Sequence, residues 1–328
     1  MNASAVKPAL IALDWGTTSL RAYLLGADGL ALDSRASSAG LMNLPAGGFD
    51  QTFEEVCGAW LDAHPQLPVI AAGMVGSAQG WVEAPYVDTP AGVDALVAGI
   101  VTVKAARGTT VRVVPGVLER GVLPNVMRGE ETQIFGALAS EPALAGKEGA
   151  LIGLPGTHAK WAFVANERIE RFYTFMTGET FGALRDHTIL GRTMHPSATH
   201  DEAAFLRGVD TARDAGHPGV LATIFSTRTL GLTGQLTAEQ QADYLSGLLI
   251  GHELRGLNEV LGRDQSSLAG RTLRLIGSDA LCERYRAALA RFGCQDARTV
   301  AHATERGLYR IAAQAGLVPA PHAPARAT

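Results

Sequence analysis

Asp14, Gly16, Thr17 and Thr18 stand in the run Ile11-Ala12-Leu13-Asp14-Trp15-Gly16-Thr17-Thr18-Ser19-Leu20-Arg21, whose residue types fit phosphate chemistry. An apolar strand ends on an acid, a small and hydroxylated turn follows, and a second strand returns. The glycine permits close approach, the backbone N–H groups and hydroxyls suit a phosphate chain, and Asp14 can hold a hydrated magnesium ion. The same pattern also fits a buried hairpin with an ordinary polar turn. A second run, Leu154-Pro155-Gly156-Thr157-His158-Ala159-Lys160-Trp161, repeats the strand, Gly-Thr turn and returning strand about 140 residues later, the mark of a duplicated domain. Two such turns on one phosphate chain are more specific than either alone, and His158 adds an imidazole that can meet phosphate or substrate.

Transfer of a phosphoryl group to a hydroxyl calls for a carboxylate base. Glu130 and Glu131 follow Gly129 at the start of a predicted helix, where they either favour the helix dipole or reach into a cleft. The strand over 69–72 runs into a glycine-rich loop, Gly73-Met74-Val75-Gly76-Ser77-Ala78-Gln79-Gly80-Trp81, whose backbone a ligand can approach. Gly277 and Ser278 join a short buried strand to a helix, a joint against which a nucleotide base or ribose can lie.

These residues need elements to hold them. Three strands over 9–14, 20–25 and 30–35 form a meander, and Phe53, Val56, Cys57, Trp60 and Leu61 fall at helical spacing behind Asp50. Helices are expected near 93–103, over 180–190, 200–215 and about 303–315, and Thr237 with Gln240 makes a capping box for a long helix. A Pro/Ala-rich tail from Val318 reads as disordered.

The 328 residues suffice for two domains, and 47% hydrophobic with 18% charged residues describes a soluble globular chain. The start carries no signal-peptide pattern, so a cytoplasmic location is expected. Three scattered cysteines suit a reducing compartment. A net charge of −4 without a Lys/Arg cluster excludes a nucleic-acid footprint, and there is no membrane-spanning run. No Walker motif and no dinucleotide fingerprint occur; His252-Glu253 lacks the second zinc histidine, since Gly256 stands there, and reads as ordinary helix surface or core.

The chain resembles the 2-dehydro-3-deoxygalactonokinases, sugar-acid kinases of the actin/hexokinase superfamily. The likeness lies in the first turn and in Ala72-Gly73-Met74-Val75-Gly76-Ser77, Val126-Met127-Arg128-Gly129-Glu130-Glu131-Thr132-Gln133, Leu154-Pro155-Gly156-Thr157-His158, Met176-Thr177-Gly178-Glu179 and Ser246-Gly247-Leu248-Leu249-Ile250-Gly251. The resemblance implies an α/β protein of two ribonuclease-H-like domains with an interdomain cleft. The first, 1–145, would carry the first phosphate hairpin and the sugar acid; the second, 146–328, would carry the other hairpin and adenosine. It implies ATP, magnesium and phosphorylation of the terminal hydroxyl of 2-dehydro-3-deoxy-D-galactonate in galactonate catabolism. Asp14 would hold magnesium through water; Gly16, Thr17, Thr18, Gly156, Thr157 and His158 would grip phosphates; Gly277 and Ser278 would border adenosine. Glu130 or Glu131 would be the base. Gly73, Met74, Gly76, Ser77 and Arg128 would meet the sugar acid, with Arg21 a further candidate for its carboxylate. A related keto-deoxy sugar acid as substrate, a nucleotide hydrolase and a sugar-sensing module remain alternatives, as does a homodimer.

Overall fold

The computed structural model describes residues 6–214, 219–263 and 266–319, and its elements follow from where apolar residues are continuous and where they alternate. The meander is β1 (Pro8–Trp15), β2 (Leu20–Gly26) and β3 (Ala31–Ser37), followed by α1 (Gly48–Ala63), β4 (Val69–Gly73) and the short β5 (Tyr86–Asp88). Next come α2 (Val93–Ala98), β6 (Val101–Lys104), β7 (Thr110–Val113), β8 (Gly116–Glu119), β9 (Asn125–Met127) and α3 (Glu130–Ser140). Strands β1 and β4 are apolar almost throughout because both their faces are covered, whereas the edge strand β3 is polar and mostly exposed, which discourages edge-to-edge pairing.

The first sheet has the order β3-β2-β1-β4-β7-β6, with β1 antiparallel to β2 and parallel to β4, and β4 parallel to β7. Helix α1 lays Phe53, Cys57, Trp60 and Leu61 against it, in a core shared with Ile11, Leu13, Trp15 and Val69. A helix spanning 93–103 is not what forms. Gly99 caps α2, and Val101–Lys104 becomes an edge strand antiparallel to β7. A separate three-stranded sheet, β5-β8-β9, delivers the chain to Arg128.

The second half begins with β10 (Ala150–Leu154), β11 (Ala159–Ala165), β12 (Arg168–Phe175) and α4 (Thr177–His187). Helices α5 (Glu202–Arg213), α6 (Val220–Thr223), α7 (Ser226–Leu232) and α8 (Gln240–Arg263) precede β13 (Leu273–Leu275), α9 (Asp279–Arg291), β14 (Arg298–Thr299) and α10 (Ala303–Gln314). The second sheet runs β12-β11-β10-β13-β14, with β10, β13 and β14 parallel. Both sheets therefore set a three-stranded meander beside parallel strands, the ribonuclease-H-like arrangement, which gives the repeat of the Gly-Thr turns a structural basis. The capping box at Thr237 forms in part, its N–H donating to the Gln240 side chain at 3.0 Å.

By contacts the described chain divides into two compact units: residues up to Gly149, Ala162–Phe172 and the chain from Val300 in the first, Ala150–Trp161 and Tyr173–Thr299 in the second. A boundary at 145/146 puts α10 in the second domain, whereas its contacts lie with the first unit. A methyl group at Gly136 of α3 would sit 1.8 Å from the Ala303 carbonyl oxygen, and one at Gly307 of α10 1.7 Å from that of Thr132, so the two helices cross backbone to backbone. The tail beyond Pro319 lies outside the described residues. Cys57, Cys282 and Cys294 are free and buried, and among the described residues no helix is long and apolar enough to cross a membrane.

Candidate active site

In the first unit the parallel pairing of β1 and β4 places Asp14 opposite Ala72 and Trp15 opposite Gly73, at the strands' C-terminal ends. This is where open α/β sheets collect ligands. The turn after β1 is closed by Gly16 N–H donating to the Ser19 carbonyl at 2.9 Å, so Gly16 supplies close approach rather than a donor, and exposed Thr17 and Thr18 form the tip. Leu41 N–H and Met42 N–H donate to the Gly16 and Thr17 carbonyls, and the Trp15 indole holds the Ala39 carbonyl at 2.9 Å. Trp15 itself is wedged edge-on against Phe49 and Trp81.

Gly73 has φ +95° and ψ −154°, a region reached essentially only by glycine, and a methyl group there would lie 2.7 Å from the Trp15 carbonyl oxygen. Gly129, with φ +112°, backs directly onto it, which brings the start of α3 beside the end of β4. Gly73→Ala is therefore expected to destabilise the first unit by about 2–4 kcal/mol, from backbone strain plus overpacking, read as a lower denaturant midpoint at unchanged slope.

The two glutamates of α3 end up in different surroundings. Glu131 is fully buried, both of its oxygens accept the Gly129 N–H at 2.9 and 2.7 Å, and burial, helped by the Glu130 carboxylate, pushes its carboxyl up to about 8. Glu130 is half-buried and accepts the Arg128 N–H at 3.0 Å. Asp14 is pushed up to about 6 by burial; the Arg21 guanidinium opposes the rise, and the Glu130 and Glu305 carboxylates add to it. Arg21 stands across the strand pair from Asp14, so its charge acts on the acid from the neighbouring strand.

Arg128 stacks its guanidinium 4.3 Å over the Tyr86 ring and donates from Nη2 to the Ala84 carbonyl at 2.9 Å. Its Nε and Nη1 are buried without a hydrogen-bond partner, as is the Ser77 hydroxyl, and Nη1 lies 3.1 Å from where a Gly76 side chain would begin. Buried polar atoms left unpaired are costly, and these three stand close together on the loop after β4 and the chain entering α3. Half-buried Met74 lies in the same loop.

In the second unit the turn Gly156-Thr157-His158 is buttressed by the start of α4. Glu179 N–H donates to the Thr157 carbonyl at 3.0 Å, the Glu179 carboxylate pairs with His158 Nε2, and a methyl group at Gly178 would lie 2.5 Å from the Gly156 carbonyl oxygen. Gly277 lies against Pro155, a Cβ there falling 3.4 Å from the Pro155 carbonyl oxygen, so the strand-helix joint and the turn are neighbours. The C-terminal half of α4 walls a cavity of about 840 Å³ lined by Phe181, Arg185, Met194, Pro196, His200 and Arg284 among others. Sequence reasoning left Lys160 unassigned, although it stands in the quoted motif; it is buried, its Nζ donating to the His158 carbonyl at 3.2 Å.

The sequence model of the 2-keto-3-deoxy-galactonokinase family matches residues 14–311. The Rhizobium meliloti (strain 1021) protein DgoK1, assigned as a 2-dehydro-3-deoxygalactonokinase, is 38% identical over 282 residues, covering 85% of this chain and 88% of its own length. The Escherichia coli (strain K12) 2-dehydro-3-deoxygalactonokinase is 34% identical over 285 residues, with 87% and 90% covered. A crystal structure of a Sinorhizobium meliloti protein assigned the same activity matches at TM-score 0.82 and 35% identity, over 93% of this chain and 98% of that one, so the likeness extends through both units.

Proposed function

The chain belongs to the 2-keto-3-deoxy-galactonokinase family, and from that premise we propose that it transfers the terminal phosphoryl group of ATP to the 6-hydroxyl of 2-dehydro-3-deoxy-D-galactonate, with the roles below. The observation that carries the reading is the span of the family match, which begins at Asp14 and takes in both Gly-Thr turns and the Glu130-Glu131 pair.

Asp14 is the magnesium-side acid. Magnesium keeps most of its waters and takes substrate phosphates with one or two carboxylates, so a single acid at the end of β1 suffices for that role. When bound, magnesium would neutralise charge on the phosphates. Thr17 and Thr18 serve the phosphates, as do Gly156, Thr157 and His158. Gly277 and Ser278 serve adenosine, with the cavity along α4 as room for the base.

Glu130 is the base. A base must reach the hydroxyl proton, and fully buried Glu131, with both oxygens engaged by Gly129, does not; it fixes the start of α3 instead. The positive charge of half-buried Arg128 and the Ser77 segment serve the carboxylate of the sugar acid, beside the backbone of Gly73, Met74 and Gly76. Arg128→Lys, which loses the planar fork, is expected to raise KM for the sugar acid about 10- to 100-fold and leave KM for ATP unchanged, in steady-state assays varying each substrate. The reading is tested by phosphorus NMR of the product. A phosphate ester coupled to the C6 protons supports it, and phosphate elsewhere on the sugar acid or only free phosphate overturns it.

A further inference from the structure

Glu253 lies in the middle of α8, the helix whose His252-Glu253 pair suggests nothing beyond surface or core in the sequence. Its carboxylate is buried and receives three side-chain donors. Trp161 Nε1 donates to Oε1 at 2.6 Å, while the Tyr285 hydroxyl at 2.9 Å and the Thr177 hydroxyl both donate to Oε2. Burial raises the carboxyl to about 7, and all three donors oppose that rise.

Each donor comes from a different segment of the proposed nucleotide site. Trp161 is the third residue of β11, the strand that leaves the Gly156-Thr157-His158 turn, and its ring packs where a side chain on Gly153 of β10 would be. Thr177 opens α4, directly before Gly178 and Glu179, which buttress that turn. Tyr285 lies on α9, the helix that follows Gly277 and Ser278. A buried carboxylate is weak evidence for stability, because an apolar replacement of similar shape is often neutral. Here it joins the three segments whose mutual alignment ATP binding would require.

We infer that Glu253 is a positioning residue for the nucleotide: it acts through Thr177 to hold the start of α4 against the second phosphate turn. This inference rests on the placement of ATP at that turn. The chain from Thr177 to Glu179 carries a carbonyl-bound N–H and the partner of His158, so a shift of one residue's backbone at Thr177 moves both supports.

The test is a calorimetric titration with ATP and magnesium, without sugar acid, on the full chain and on Glu253→Gln, Thr177→Val, Thr177→Ser and the Glu253→Gln/Thr177→Val double variant. Loss of a hydrogen bond to a charged group is expected to weaken ATP binding about tenfold in Glu253→Gln and in Thr177→Val. The double variant should be no weaker than the weaker single one, since both remove the same link, and Thr177→Ser should bind as the native chain does. KM for the sugar acid should move less than about twofold. Native affinity in Glu253→Gln, multiplying effects in the double variant, or a parallel rise in the sugar-acid KM would overturn the inference. If Glu253→Gln fails to fold, native affinity in Thr177→Val alone overturns it. No ATP binding by the unsubstituted chain would overturn the placement of ATP, and this inference with it.

Discussion

Asp14→Asn is expected to lower phosphoryl transfer on the order of 1,000-fold and at the same time to stabilise the folded chain at pH 8. The loss follows from removing the only charge that β1 aims at the phosphates. The gain follows from linkage. The Asp14 carboxyl sits at about 6 in the fold against an ordinary 3.8, so its favourable contribution is present below pH 3.8 and is lost as pH rises through about 6. At pH 8 the loss is complete and on the order of 3 kcal/mol, at 1.36 kcal/mol per unit. Asparagine cannot ionise and escapes it. Urea unfolding at pH 8 and at pH 3.5, beside a turnover assay, reads both effects: the variant should be the more stable at pH 8 and should lose that advantage at pH 3.5. A variant that keeps its turnover contradicts the role given to Asp14, and one that is destabilised at pH 8 contradicts the raised position of its carboxyl.

The second large effect separates the two glutamates of α3. Glu130→Gln is expected to cut kcat about 100- to 10,000-fold with little change in KM for ATP, the range for losing a general base. Glu131→Gln is expected to keep kcat within about tenfold, because the buried group touches Gly129 and not the substrate. Its signature is in stability. The Glu131 carboxyl sits at about 8, above its ordinary 4.5, so its contribution is present in the neutral form and lost as pH rises through about 8. A glutamine stays neutral, so the variant should show a flatter fall in stability between about pH 4.5 and pH 8, where the native chain loses it. Reversal of the two kinetic effects would assign the base to Glu131.

Features written in contiguous residues were legible before the fold was known. The acid-ended strand with its Gly-Thr turn, the repeat of that turn at Gly156, and Glu130-Glu131 after Gly129 are all local patterns, and the structure builds each into the end of a strand or the start of a helix. The strand over 101–104 was not legible, because its valines match helical spacing as well as an edge strand's alternation, and only pairing with β7 decides between them. The surroundings of Arg128 come from Tyr86, Ala84 and Gly76, which lie on segments far from it in the chain. Glu253 was the least legible residue. Its partners stand 76, 92 and 32 positions away, and no periodicity within α8 marks it as different from a helix-surface acid.

The central claim, that the Asp14 and Gly156 turns serve an ATP-dependent sugar-acid kinase, is tested most directly by following ADP formation with magnesium and ATP, with and without 2-dehydro-3-deoxy-D-galactonate. ADP is expected only when the sugar acid is present, one for each sugar acid phosphorylated. ADP released at the same rate without the sugar acid, or none with it, would contradict the claim.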